Sequence, residues 1–105
     1  MGANGISRED AVQRLRAAEP QVRSLGIRRL ALFGSVVRGE AHAGSDVDVL
    51  VEFEPGRKTY DSFLALWELL EQLLERPVEL VTTEALSPFI GRHILAEAED
   101  VLRAA

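Results

Sequence analysis

Two short apolar runs, Leu30-Ala31-Leu32-Phe33 and Val49-Leu50-Val51, each abut residues that carry chemistry. The first stops at Gly34-Ser35. The second is entered through Asp46-Val47-Asp48, and the ten residues from Val36 to Ser45 separate the two groups. Short runs rich in Val and Leu, bounded by Gly, Ser and Asp, read as strands. If the two strands pair antiparallel, the end of the first lies beside the start of the second. A Gly-Ser turn then meets a pair of alternating acids, and the rest of the chain must fold so as to support that meeting.

On a strand, Asp46 and Asp48 share a face, roughly 6–7 Å apart at their Cα atoms, while Val47, Val49 and Val51 point the other way. Convergent carboxylates suit hard cations such as Mg²⁺, which takes oxygen ligands and keeps positions for water and phosphate. A two-metal site places its ions about 3.5–4 Å apart to stabilise the attacking and leaving oxygens of phosphoryl transfer. Taken alone, Asp-x-Asp at a strand start more often caps or solvates a turn. An EF-hand loop is excluded, because Val49 to Val51 stand where oxygen ligands and a Gly are needed. Gly34 allows close backbone approach to a ligand or a positive φ. Ser35 offers a hydroxyl and can open a short helix. Gly-Ser alone would pass for an ordinary turn; its combination with the acids, and with Arg38-Gly39 between them, points to a phosphate grip beside a metal grip.

The segment FGSVVRGEAHAGSDVDVLVEF resembles the Gly-Ser-x10-Asp-x-Asp signature of the DNA polymerase β-type nucleotidyltransferase superfamily. It is most similar to the small stand-alone members, the minimal nucleotidyltransferases (MNT proteins), and the resemblance extends from about Ile27 to the last helix. It implies that Gly34 and Ser35 hold a nucleoside triphosphate and that Asp46 and Asp48 bind metal. Arg38 matches a basic position of the same loop, where phosphate contact and loop support both remain open. A third carboxylate is expected on a later strand, in the run Arg76-Pro77-Val78-Glu79-Leu80-Val81. Glu79 stands there in place of the usual Asp, implied by the resemblance as a third catalytic and metal-binding acid with Asp46 and Asp48, and its extra methylene moves the charge by about 1.5 Å, one C–C bond. The resemblance further implies Mg²⁺ (two ions), ATP as substrate and AMP transfer to a hydroxyl of a HEPN-domain toxin, with this chain as antitoxin. The alternative is a catalytically weak or inactive scaffold that neutralises its partner by binding alone, for which Glu79 is the argument. A free small-molecule nucleotidyltransferase fits less well, because relatives that modify aminoglycosides carry an added helical domain.

Composition is compatible with these expectations. The 105 residues suit a single domain spanning 1–105, and a hydrophobic content of 47% supplies a core. There is no Cys, which removes disulfides and thiolate metal sites. MGANGISRED lacks the apolar stretch of a signal peptide, and no run approaches a membrane span, so a cytoplasmic location is expected. The formal charge of −5 divides into +4 over residues 1–38 (seven Arg, three acids) and −9 over 39–105 (five basic, fourteen acidic). Solvated helix charge explains the Arg-rich third better than nucleic-acid contact, since no basic pattern interleaved with aromatics is present. A template-copying polymerase is not expected.

Element by element, residues 1–6 read as a loose end and Ser7 as the N-cap of a helix, with a kink or second start at Pro20 and a stop at Gly26. Arg28 to Phe33 is the first strand, Val36 to Gly39 a short helix, Glu40 to Ser45 a loop, and Val47 to Phe53 the second strand. Glu54-Pro55-Gly56 turns the chain. Tyr60 to Glu75 is a helix with Phe63, Leu66, Trp67, Leu70, Leu73 and Leu74 as its apolar stripe, and Trp67 reads as core. Val78 to Val81 is a third strand, where a buried Glu79 would need a partner or metal, the alternative being an edge strand with a solvated Glu. Ser87-Pro88 opens a final helix carrying Phe89, Ile90, Ile94 and Leu95, and Val101-Leu102 can form a short last strand. His42 and His93 receive no role. The expected fold is α/β (α+β): a small mixed sheet of three to four strands with helices chiefly on one face.

Overall fold

A computed structural model describes residues 6–42 and 44–103. Most of the expected loose N-terminal end lies outside the described residues, as do Ala43 of the Glu40–Ser45 loop and the side chain of Ile90. Ile6, counted in that loose end, is instead buried in the core.

Helix α1 (Arg8–Ala17) starts where the Ser7 side chain accepts a hydrogen bond from the Asp10 N–H. Pro20 cannot continue that ladder, so the chain breaks at Ala18 and restarts as α2 (Glu19–Ser24) with the proline in its first turn. Gly26, at φ +87°, turns the chain into β1 (Ile27–Phe33). Four residues of helix follow, α3 (Ser35–Arg38), and then β2 (Val47–Phe53). Helix α4 (Tyr60–Leu74) begins with a reciprocal cap between Thr59 and Ser62 and leads to β3 (Val78–Thr82). A single 3₁₀ turn, Thr83–Ala85, precedes α5 (Pro88–Glu97) and β4 (Glu99–Arg103). That last strand is longer than the Val101-Leu102 pair foreseen.

The four strands form one mixed sheet in the order β3-β2-β1-β4. β1 and β2 pair antiparallel with Phe33 opposite Asp48, whereas β2 and β3 run parallel with Asp48 beside Glu79. The parallel pair needs a crossover, which α4 provides. One sheet face, carrying Leu30, Leu32, Val47, Val49 and Val51, is packed by Ala11, Leu15, Val22, Leu66, Leu70 and Leu74 of the helices. The other face carries Ala31, Phe33 and Leu50, with Leu86, Ile94 and Ala98 against it. The period-2 alternation of β2 therefore places its valines in the main core and its acids on the thinly covered face. Leu70 is fully buried at the centre of the α4 contact. Leu70→Ala should cost about 2–5 kcal/mol, from lost transfer energy plus a residual cavity, read as a lower urea midpoint at unchanged slope.

The arginines of the first third are used inside the fold. Arg8 pairs with Glu99, Arg29 Nε lies 2.6 Å from Asp100 Oδ1, and Arg16 Nε donates to the Val101 carbonyl at 3.4 Å. Their charge ties the N-terminal helices and β1 to the acidic last strand, which corrects the expectation of merely solvated helix charge. Among the described residues no helix is long and apolar enough to cross a membrane.

Candidate active site

Gly34 ends β1 at φ +76°, ψ −149°, a conformation closed to other L-residues without strain. A Cβ built there would stand 2.0 Å from Asp48 Oδ2. The turn and the acid therefore pack directly on each other, as the antiparallel pairing requires. Ser35 begins α3, and Gly39, in the left-handed region at φ 74°, ends it after one turn.

Asp48 and Glu79 are register partners on adjacent parallel strands and share a face, close enough for Glu79 to act on the Asp48 carboxyl. Asp46, just before β2, is exposed and lies close enough for its charge to act on Asp48. Burial pushes the Asp48 carboxyl up to about 6; the neighbouring Glu79 and the charge of Asp46 add to this, and Arg38 opposes it. Glu79 itself is exposed on the edge strand, so the expectation of an acid buried in a strand is corrected. Its place beside Asp48 comes from the β2–β3 register.

These acids are the side chains here that could hold a metal ion. Among the described residues no three acidic or histidine side chains are gathered into a finished cage. Mg²⁺ commonly uses one or two carboxylates and completes its shell with water and substrate phosphates. The donor set of Asp46 and Asp48, with Glu79 adjoining, fits that pattern: it is all oxygen, carries excess negative charge and includes an acid whose proton a cation would displace. Because metal ligands must be deprotonated, Mg²⁺ affinity should fall about tenfold per pH unit below pH 6. The raised carboxyl has the opposite effect on the metal-free fold, since ionising Asp48 is disfavoured there and its contribution to stability diminishes as pH rises from about 4 through 6. Calorimetric Mg²⁺ titrations and melting curves across pH 5–8 would read the two trends separately.

Two α4 side chains hold the strand that presents Glu79. The Val78 N–H donates to Glu71 Oε2 at 2.9 Å, and the Trp67 indole N–H donates to the Val78 carbonyl at 3.0 Å. The Pro77 carbonyl pairs inward, accepting from the Val47 N–H at 2.9 Å. Both polar backbone groups of Val78 are thereby satisfied by side chains on the edge strand. Trp67 is 37% exposed, so the structure corrects its placement in the core: the ring lies at the α4–β3 seam with its N–H in use.

Arg38 is engaged on both sides. Its Nε lies 2.9 Å from Glu40 Oε1, and its terminal nitrogen lies 2.6 Å from Glu97 Oε2. The other Glu97 oxygen accepts from the Gly34 N–H at 2.8 Å. Arg38 and the Gly34 N–H hold the Glu97 carboxyl below the usual carboxylate range. Glu97 was not legible because its partners Gly34 and Arg38 are distant in sequence, and Glu71 and Trp67 because their contacts to Val78 need the turn between α4 and β3 to fold the strand back on the helix. An Arg in a turn needing a counter-charge was the one available signal, and Glu40 already answers it locally. His42 is exposed, its Nδ1 accepting from the Gly44 N–H at 3.2 Å, and His93 is exposed on α5.

A small mixed sheet with a Gly-Ser turn packed on a strand-borne Asp-x-Asp defines a class, and comparison with known proteins gives the same one. Residues 15–101 match the nucleotidyltransferase domain family, to which this chain belongs. Protein adenylyltransferase MntA of Thermococcus cleftensis is 44% identical over 72 residues, covering 69% of this chain and 72% of that protein. A solved structure described as a minimal nucleotidyltransferase superposes with a TM-score of 0.79 at 36% identity, covering 90% of this chain and 95% of the other. An MNT antitoxin in complex with a tri-AMPylated HEPN toxin from Shewanella oneidensis shares the fold, with a TM-score of 0.62 at 17% identity over 89% of this chain and 73% of that one.

Proposed function

We propose that this protein is a Mg²⁺-dependent protein adenylyltransferase that moves AMP from ATP to a hydroxyl of a HEPN-domain toxin and so acts as its antitoxin. The observation that carries the reading is the packing of Gly34 against Asp48, with Glu79 in register beside that acid. A Gly-Ser turn and a pair of acids at one sheet end support a reading in which the turn takes phosphates and the acids a cation. Similarity to the adenylyltransferase MntA supports AMP as the transferred group, and the HEPN-bound MNT neighbour supports the partner class.

In this scheme Asp46 and Asp48 hold Mg²⁺, which when bound neutralises the triphosphate and the leaving pyrophosphate. Gly34 and Ser35 seat the outer phosphates. The acceptor hydroxyl oxygen forms a bond to the α-phosphorus, the bond from that phosphorus to the α–β bridging oxygen breaks, and pyrophosphate departs. Glu79 accepts the hydroxyl proton. Little covalent work falls to the protein, so positioning and charge neutralisation carry the rate.

Co-expression with a HEPN-domain toxin, followed by intact mass spectrometry of that partner, tests the proposal. Mass increments of whole adenylate units, lost with Asp46→Asn plus Asp48→Asn, are the expected result. An unmodified partner that is nonetheless silenced in a stable complex would instead support neutralisation by binding alone.

A further inference from the structure

Glu97, the last residue of α5, has no part in the transfer chemistry, yet it holds two groups of the nucleotide loop. Its oxygens are split between the Gly34 N–H at 2.8 Å and the Arg38 guanidinium at 2.6 Å. The Gly34 and Arg38 donors flank the single turn of α3. A carboxylate shared by a backbone N–H and a guanidinium repeats the chemistry by which proteins take two oxygens of a phosphate. Arg38 has its Nε on Glu40 as well, so the cationic side chain of this loop is already committed.

This arrangement conflicts with a bound triphosphate in two ways. The donors cannot serve the carboxylate and a phosphate with full hydrogen bonds at once. Glu97 would also leave a negative charge beside the incoming phosphates, and like charges at such separations repel, the more so where water is partly excluded. The Glu97 side chain is 29% exposed, so it has solvent to move into. The next strand is anchored separately: β4 is fixed by the Arg8–Glu99 and Arg29–Asp100 pairs and can stay in the sheet when Glu97 lets go.

We infer that Glu97 is the resident occupant of the phosphate position, and that a triphosphate binds by replacing its carboxylate on the Gly34 N–H and Arg38. The inference rests on the nucleotidyltransferase reading and adds an exchange step to it: the loop is held in shape by an internal anion that nucleotide must displace. The competing role, a strut that keeps the loop productive while nucleotide is bound, predicts the opposite sign on affinity.

Isothermal titration calorimetry of the wild type and Glu97→Gln, with ATP, inorganic tripolyphosphate and adenosine in the presence of Mg²⁺, separates the two. Gln keeps a carbonyl for the Gly34 N–H, removes the charge and puts an amide NH₂, a donor, in place of the oxygen that accepts from Arg38. Displacement predicts that ATP and tripolyphosphate bind the variant about tenfold more tightly, the weight of one charge-assisted contact, with adenosine unchanged. Unchanged or weaker binding by a folded variant overturns the inference and makes Glu97 a strut. Should Glu97→Gln fail to fold, the wild type still decides: the Glu97 carboxyl carbon resonance must move when tripolyphosphate is added at fixed pH, and a static resonance overturns the inference. If neither ATP nor tripolyphosphate binds the wild type, the nucleotidyltransferase reading itself fails, an outcome distinct from binding without displacement.

Discussion

Asp48→Asn should lower adenylate transfer by on the order of 10³-fold, a loss typical of removing preorganised transition-state charge stabilisation, while making the metal-free protein more stable. Both effects arise from one environment. Asp48 sits between Glu79 and Asp46 with its carboxyl raised to about 6, so near neutral pH the fold holds an ionised group that burial and like charge disfavour. Asn keeps the shape and removes the charge. The gain should be of order 1 kcal/mol once solvent screening of a partly exposed group is allowed for, seen as a rise of several degrees in melting temperature. Activity and stability thus move in opposite directions, whereas a variant that inactivates by disrupting the fold loses both. Paired measurement of transfer rate and thermal midpoint distinguishes these cases, and added Mg²⁺ should stabilise the wild type and not Asp48→Asn.

Gly34→Ala should lower both. At φ +76°, ψ −149° an alanine costs about 1–3 kcal/mol in backbone strain alone. Its Cβ, 2.0 Å from Asp48 Oδ2, must also push that carboxylate out of place. An Asp side chain can swing, so the fold survives, but misplacing a reacting group by about 1 Å can cost about 10²-fold in rate. The expected phenotype is a modest fall in urea midpoint with a loss in transfer of at least that size. A double variant with Asp48→Asn should lose less than the sum of the separate losses, because both changes act on the same carboxylate. Full additivity would mean that Gly34 serves the nucleotide by a route independent of Asp48.

The local parts of this architecture were readable in the chain because their causes are local. Gly34-Ser35 after an apolar run, the alternation through Asp46 to Val51, Ser7 before α1, Pro20 at the helix break and Pro55-Gly56 in the turn each act within a few residues. They led directly to the mixed sheet and to the antiparallel β1–β2 pair. What escaped depends on partners that only the folded chain brings together. Glu97 meets Arg38 across the α5–α3 gap, and Trp67 and Glu71 meet Val78 over the edge of the sheet. Trp67 read as core because helical spacing reports the side a residue faces and not how far along that side the core extends. The Arg-rich first third read as solvated because its partners, Glu99 and Asp100, sit at the far end of the chain.

ATP labelled in turn at the α- and the γ-phosphorus, incubated with Mg²⁺, this protein and the HEPN-domain protein proposed as its acceptor, tests the central claim most directly. The account predicts that the α label appears on the partner, the γ label does not, and pyrophosphate is released in step, all of it lost with Asp46→Asn plus Asp48→Asn. Transfer of the γ label, or none of either label while nucleotide is bound and the partner is held, would contradict it.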